Sequence, residues 1–140
     1  MNDLTIAKNK LESGEYSLVL CKGESIIKSS KSGVAPLIEV MSKNINIKNY
    51  SAADKIVGKA SALLLVHAGI KEVYGAVMSK KGAEVLEIYN IYFEFGQLVE
   101  NIINQQGTGM CPMEIAVSDI SDPSLALNVL QSAIKSLRKI

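Results

Sequence analysis

Two apolar runs and the segment between them decide the fold of this chain: Glu72-Val73-Tyr74-Gly75-Ala76-Val77-Met78, then Lys80 to Tyr89, then Ile91-Tyr92-Phe93-Glu94-Phe95. Both runs are predicted to be strands, the first of them buried, and the segment between them is predicted to be a helix. Strand, helix and strand in this order form a βαβ unit. Its two strands are expected to be parallel neighbours joined by a right-handed crossover.

The rest of the chain supplies a hairpin and further helices. Apolar residues at helical spacing predict a first helix over 3–13, and two short apolar runs around Gly23 predict a hairpin over 16–28. The other predicted elements are helices over 34–41, 51–69, 97–103, 112–118 and 123–139. The resulting order, αββααβαβααα, predicts a single α/β domain over 1–140. Its expected architecture is a three-layer α/β/α sandwich around a four-stranded mixed sheet.

The strongest helical signal runs from Ser51 to Gly69. Ser51 as N-cap, with Asp54 three positions later, resembles a capping box, and a wide apolar face follows. Gly58 is unexpected in this helix because a mid-helix glycine costs about 1 kcal/mol relative to alanine. It therefore predicts that another group approaches the backbone there, which makes Gly58 a candidate binding position.

A second distinctive stretch reads Asn104-Gln105-Gln106-Gly107-Thr108-Gly109-Met110-Cys111-Pro112-Met113-Glu114. It joins a glycine-bracketed loop to a helix in which Cys111 is the N-cap, Pro112 the first residue and Glu114 the third. Backbone N–H groups and the positive end of the helix dipole would then point at the Cys111 sulfur. This arrangement predicts a reactive thiol.

The composition limits the classes of partner. Fifteen basic and fourteen acidic residues leave a formal charge of +1, so the chain has no general attraction to nucleic acid or to an anionic membrane. Its N-terminus lacks the features of a signal peptide, and no segment approaches the roughly 18 apolar residues that span a bilayer. We therefore expect a cytoplasmic protein in which Cys21 and Cys111 are free thiols.

Two stretches, Ala53 to Ala60 and Asn104 to Glu114, resemble the signature of an uncharacterised bacterial family that is grouped by fold with the cytidine deaminases. The resemblance covers nearly the whole chain. It implies the sheet order 2-1-3-4, with the first strand running against the others. It implies no reaction, because the family has none that is established and a fold alone does not carry a function.

The zinc chemistry of the deaminases does not follow from these residues. A zinc deaminase needs a His or Cys with a Glu two residues later at the start of a core helix, and a Pro-Cys-x-x-Cys motif after the next strand. The predicted helix start reads Ala52-Ala53-Asp54-Lys55, Cys111 stands alone, and the one histidine, His67, lies at the far end of its helix. No metal and no cofactor is therefore predicted.

What remains is a metal-free pocket at the carboxyl edge of the sheet, where two predicted helix starts would meet. The predicted catalytic residues are Cys111 as nucleophile, Lys55 as its activating cation, and Asp54 or Glu114 as proton carrier. The predicted substrate-binding residues are Gly58 and the loop residues Gly107, Thr108 and Gly109, whose amides would bind an anionic group such as phosphate.

Each of these residues also has a purely structural interpretation. Asp54 would cap its helix, Glu114 would reach back to the backbone N–H of Cys111, and Lys55 would be a solvated lysine. Two functions remain open: an enzyme that uses Cys111 on a nucleotide-like or other anionic small molecule, and a non-catalytic module for ligand binding or regulation. The apolar helix from Ala53 to Ile70 would also suit a homodimer if part of it is exposed.

Overall fold

A five-stranded mixed sheet forms the centre of the protein in the computed structural model, which describes residues 2–138. The strands are β1 (Leu18–Lys22), β2 (Ser25–Ser29), β3 (Ser51–Val57), β4 (Glu72–Ser79) and β5 (Tyr92–Val99). Their order in the sheet is β2-β1-β3-β4-β5. β1 is antiparallel to both of its neighbours, whereas β3, β4 and β5 are parallel to one another. β1 therefore runs against all the other strands, as the family resemblance implied.

The helices are α1 (Asp3–Glu12), α2 (Ala35–Ser42), α3 (Lys59–Ala68), α4 (Lys80–Ile88), α5 (Pro112–Ala116) and α6 (Pro123–Arg138). The predicted βαβ unit is confirmed as β4-α4-β5, and a second unit, β3-α3-β4, lies beside it. The final helix was predicted to reach Lys139, which lies outside the described residues. Within residues 2–138 there is no helix with the length and apolar character needed to cross a bilayer.

Alternating side chains of the central strands separate two apolar clusters. Ala53 of β3 and Tyr74 of β4 pack with α1 on one face of the sheet. Their neighbours Ala52 and Val73 pack with the other long helices on the opposite face. Because successive strand residues point to opposite faces, helices cover both sides of the sheet, which is consistent with the predicted α/β/α layering.

The predicted helix from Ser51 to Gly69 is wrong over its first half. Residues Ser51–Val57 form β3, the central strand of the sheet, and the helix begins only at Lys59. The capping-box interpretation of Ser51 and Asp54 is wrong for the same reason. Ala52 and Ala53 favour a helix by intrinsic propensity, but both are fully buried, and pairing of β3 with strands on both of its edges overrides that preference.

This extra strand also corrects the sheet. The prediction of four strands in the order 2-1-3-4 is wrong, because β3 lies between the strands predicted as first and third. The four predicted strands otherwise keep their relative positions. The predicted helix over 97–103 is wrong as well, because β5 continues to Val99 and pairs with Ser79 at the end of β4.

Helix α3 is the buried centre of its layer. Ala60, Ser61, Ala62, Leu63, Leu64 and Leu65 are all buried, and the helix ends at Gly69, which takes the left-handed conformation with φ 79°. The homodimer predicted through the stretch from Ala53 to Ile70 required part of that stretch to be exposed. These six residues do not meet that condition.

The junction between β3 and α3 leaves no space for a side chain on the neighbouring helix. Gly82, in the first turn of α4, lies so close that a Cβ would stand 2.8 Å from the Val57 carbonyl oxygen and 3.0 Å from the carbonyl group of Gly58. Both neighbours are backbone groups, one at the end of β3 and one at the N-cap of α3, and they cannot rotate away as a side chain can. Gly82 therefore sets how closely α4 approaches the start of α3.

We expect Gly82→Ala to lower the free energy of unfolding by about 1–3 kcal/mol, the usual cost of overpacking. The effect runs against helix propensity, which alone would favour alanine by about 1 kcal/mol. Urea unfolding measures it. The matched control is Gly109→Ala, because a Cβ at Gly109 meets no atom within 4 Å. Equal stability of the two variants would contradict the close approach.

Candidate functional site

An open cleft of about 480 Å³ lies at the carboxyl end of β3, between the start of α3, the start of α5 and the loop that follows β5. Most of its lining is apolar, and the apolar side chains come from distant parts of the chain: Val34, Ile56, Ile102, Ile103, Met113 and Leu137. Ile56 is 46% exposed although it belongs to a central strand. The cleft is therefore the place where the core opens to solvent beside a helix N-terminus.

The side-chain carboxylate of Glu114 caps the N-terminus of α3. Its Oε1 accepts a hydrogen bond from the backbone N–H of Lys59 at 2.7 Å, and its Oε2 accepts one from Ala60 at 2.8 Å. The carboxylate is buried, and it lies at the positive end of the α3 dipole. Glu114 therefore caps α3 rather than its own helix, and it attaches α5 to the centre of the fold.

Gly58 is the residue that makes room for this carboxylate. It is the N-cap of α3, and a Cβ at this position would stand 2.3 Å from Glu114 Oε1. The close approach predicted from the sequence is confirmed, and the approaching group is Glu114. Gly58 also lines the cleft, which brings three predicted site residues together: Gly58, Cys111 and Glu114.

Cys111 is confirmed as the N-cap of α5, with Pro112 at the start of the helix. Its backbone N–H donates to the Ile102 carbonyl at 2.9 Å, and its own carbonyl accepts from the Glu114 N–H at 3.0 Å. The side chain makes no capping hydrogen bond, and the half-buried thiol lines the cleft. Because α5 has only five residues, its dipole is that of little more than one turn.

Asp54 and Lys55 are not among the residues that line the cleft. Asp54 is buried within β3, where its Oδ1 accepts a hydrogen bond from the Ile56 N–H at 3.4 Å. Burial in this apolar layer raises the pKa of Asp54 to about 8, so its carboxyl is mainly protonated at neutral pH. Lys55 is exposed, and its backbone N–H donates to the Ser17 carbonyl.

The glycine loop closes on itself. The Asn104 side chain accepts a hydrogen bond from the Thr108 N–H at 3.0 Å and donates to the Thr108 hydroxyl at 3.1 Å. The Gly107 N–H donates to the Asn104 carbonyl at 3.0 Å. Two of the three amides predicted to bind an anion are therefore already bonded, and Asn104 itself, rather than residues 107–109, lines the cleft.

Ser61 was missed by the sequence analysis. It is only 3% exposed, it lines the cleft one turn into α3, and its hydroxyl has no hydrogen-bond partner among the described residues. Every fully buried side-chain oxygen or nitrogen among the described residues has a hydrogen-bond partner. The Ser61 hydroxyl has none, so it is not fully buried and is accessible from the cleft. A serine within the run Ala60-Ser61-Ala62-Leu63 was the available signal, but the run looked like a helix-packing surface.

The remaining charges near the cleft are already engaged. The Lys59 ammonium group donates to the Ser118 carbonyl at 3.0 Å. Of the titratable side chains in residues 2–138, only Cys111 and Glu114 line the cleft.

The corrected start of α3 reads Gly58-Lys59-Ala60-Ser61, which offers neither a His or Cys ligand nor the glutamate of a zinc deaminase. The same described residues contain no group of three His, Cys, Asp or Glu side chains placed to hold a metal ion.

Comparison with known proteins identifies the family. The family described as TM1506, domain of unknown function (DUF1893), matches residues 6–134 of the chain. The chain belongs to the DUF1893 family. It is similar to the crystal structure of the DUF1893 protein TM1506 from Thermotoga maritima, with 27% sequence identity and a TM-score of 0.84, over 94% of this chain and 90% of that chain. No match was found among the curated proteins.

In this DUF1893 chain, Gly58 and Glu114 are expected to behave as one unit. Glu114→Ala should lower the free energy of unfolding by about 2–4 kcal/mol, because two helix N–H groups lose a charged acceptor. Gly58→Ala should cost a similar amount by displacing the carboxylate. A double-mutant cycle by urea unfolding tests the link: Gly58→Ala should cost under about 1 kcal/mol when Glu114 is already alanine. Additive effects would contradict the contact, and exposed Glu84→Ala is the control.

Asp54 should make the stability of this DUF1893 chain depend on pH. Its unfolded pKa is about 3.9 and its folded pKa about 8. Between these values the native state holds more protons, so this contribution to stability falls as pH rises, by up to about 1.4 kcal/mol per pH unit. Asp54→Asn keeps the shape and removes the titration.

The stability of Asp54→Asn relative to wild type should therefore increase steadily between pH 5 and pH 8. Urea unfolding at several pH values measures this difference. Asp119→Asn, at an exposed position, should follow the wild-type curve and serves as the control. A constant difference between Asp54→Asn and wild type across this range would show that Asp54 is ionised in the folded protein.

Proposed function

We propose that this DUF1893 protein is a non-catalytic module that binds an uncharged small molecule with a flat apolar face and hydrogen-bonding edges in the cleft between α3 and α5. The observation that carries the proposal is the pairing of an apolar cleft with the Ser61 hydroxyl, which belongs to a residue only 3% exposed, lines the cleft and has no hydrogen-bond partner among the described residues. Because this hydroxyl is accessible from the cleft, a ligand that fills the apolar space would also be able to hydrogen-bond to Ser61.

The charges around the cleft favour a neutral ligand over the anionic one expected from the sequence. The backbone N–H groups at the start of α3 would attract an anion, but the Glu114 carboxylate already accepts from two of them. That carboxylate also repels a second negative charge. Lys59 is engaged with Ser118, and Lys55 does not line the cleft.

The polar groups at the rim support a ligand with hydrogen-bonding edges. Gln105 and Gln106 line the same cleft as the apolar side chains, and a primary amide both donates and accepts hydrogen bonds. Nucleobases and unphosphorylated nucleosides combine a flat apolar face with such edges. The resemblance to the cytidine deaminase fold also favours this class, with recognition retained and the metal chemistry lost.

A cysteine-dependent enzyme is the second candidate, and the observation that favours it is the half-buried Cys111 thiol in the same cleft. Such an enzyme needs a base that takes the thiol proton. Glu114 is the other titratable group lining the cleft among the described residues, and both of its oxygens accept backbone N–H bonds. We therefore rank catalysis below binding.

Calorimetric titration with cytidine and adenosine, and with their 5′-monophosphates, tests the proposed ligand class. The nucleosides should bind at least about tenfold more tightly than the monophosphates. Ser61→Ala should weaken nucleoside binding by about three- to tenfold, the worth of one hydrogen bond. Tighter binding of the monophosphates, or no binding of either nucleoside, would reject this ligand class.

Two further variants separate the site from the fold and binding from catalysis. Ile56→Glu should abolish binding, whereas Ile26→Glu, at a similarly exposed strand position outside the cleft, should not. Cys111→Ser should retain nucleoside binding if the module is non-catalytic. Conversion of nucleoside by wild type that is lost in Cys111→Ser, with binding intact, would replace the proposal with the enzyme.

A further inference from the structure

Strand β5 forms an edge of the sheet, with no described strand beyond it. It is eight residues long, and three of its large apolar side chains are exposed: Tyr92 by 58%, Phe95 by 43% and Leu98 by 40%. No described backbone group bonds to β5 from its outer side. A long, apolar, unpaired edge is a template for pairing with another strand.

The opposite edge of the same sheet is built differently. β2 has only five residues, begins and ends with serine, and carries Lys28 near its end. Short length and an edge lysine are devices that discourage strand addition. β5 contains no lysine, arginine or proline. Its one charge, Glu94, accepts a hydrogen bond from the Tyr92 hydroxyl at 2.6 Å. One edge of this sheet is protected and the other is not.

We propose that β5 pairs antiparallel with β5 of a second copy of this chain, with Phe95 facing Phe95 across a two-fold axis. The two sheets then form one continuous sheet of ten strands. The pairing satisfies the outward backbone groups of both edges and covers the exposed side chains of Tyr92, Phe95 and Leu98. It leaves the cleft between α3 and α5 free, since none of these three residues lines it.

The charge pattern selects the register. In an antiparallel pair, the side chains of two facing residues lie on the same face of the sheet. A two-fold axis normal to the sheet keeps the two faces apart, so it must pass through a position where one residue faces the same residue of the second copy. An axis at Glu94 would put two carboxylates opposite each other, which is unfavourable. An axis at Gly96 would place two glycines opposite each other, with no side chains to pack at the centre of the interface. An axis at Phe95 puts Glu94 opposite Gly96, Tyr92 opposite Leu98, and two aromatic rings at the centre.

A second copy suits this edge because β5 is complementary to itself in that register. Tyr92 and Leu98 lie on one face of β5 and Phe95 lies on the other, because successive strand residues alternate. The two-fold axis therefore brings exposed apolar side chains of both copies together on both faces of the sheet.

Sedimentation velocity of the full chain tests the pairing. Wild type should sediment as a dimer of the 15.1 kDa chain, and Phe95→Lys should sediment as a monomer with an unchanged circular dichroism spectrum. The matched control is Ile26→Lys on the β2 edge, which should remain dimeric. A monomeric wild type would overturn the proposal and leave the edge to another occupant. A Phe95→Lys variant that stays dimeric would overturn it as well.

Disulfide crosslinking in a Cys111→Ser background tests the register. Facing residues in an antiparallel pair have Cα atoms about 4.5–5.5 Å apart, within the range of a disulfide. Phe95→Cys should therefore form a covalent dimer under mild oxidation. Gln97→Cys should not, because it would lie four positions out of register with its own copy. Efficient crosslinking of Gln97→Cys in place of Phe95→Cys would show that the strands pair in another register.

Discussion

The contact between the Glu114 carboxylate and the first N–H groups of α3 is the interaction on which the rest of the structure depends. It joins a residue from the C-terminal part of the chain to a helix that starts at the end of the central strand. The contact does two things at once. It satisfies orphan donors at a buried helix start, and it holds α5 and its preceding loop against the sheet.

The same contact gives the start of α3 a different character from the helix start of a zinc deaminase. In a zinc deaminase, the start of the core helix carries a metal ligand and a catalytic glutamate. Here the corresponding turn carries Gly58, Lys59 and Ala60, and a glutamate arrives from a different helix to hold backbone N–H groups. A carboxylate is thus present near the helix start, but both of its oxygens accept hydrogen bonds from the backbone of α3.

The sequence predicted the parts of this fold that local patterns determine. The βαβ unit from β4 to β5, the Cys111-Pro112 helix start and the glycine stop of α3 follow from hydrophobic runs and capping residues, and all are present. β3 was missed because the run Ser51-Ala52-Ala53-Asp54 carries helix-start signals, and only pairing with β1 and β4 makes it a strand. Because of that error, Asp54 and Lys55 were assigned to a helix instead of to β3, and their neighbours were predicted wrongly.

The candidate site was predictable only in part for a related reason. Gly58 was unusual only within the predicted helix, since it is the N-cap of α3 in the structure, and Cys111 is unusual as a cap; local analysis could identify both. The partner of Gly58 lies more than fifty positions away in the chain, and no local pattern connects the two. Ser61 is ordinary in sequence and becomes distinctive only when its hydroxyl is found without a partner beside an open space.

The turn after β5 has a consequence for how the cleft could diversify. Asn104 and Thr108 bond to each other through side chain and backbone, so the turn keeps its shape without support from the sheet. Gln105 and Gln106 project from it to the cleft rim while contributing nothing to the core. In the binding module that we propose, replacing that pair would change which molecule the rim accepts at little cost in stability, and this short segment would then be an exchangeable specificity element on a constant scaffold.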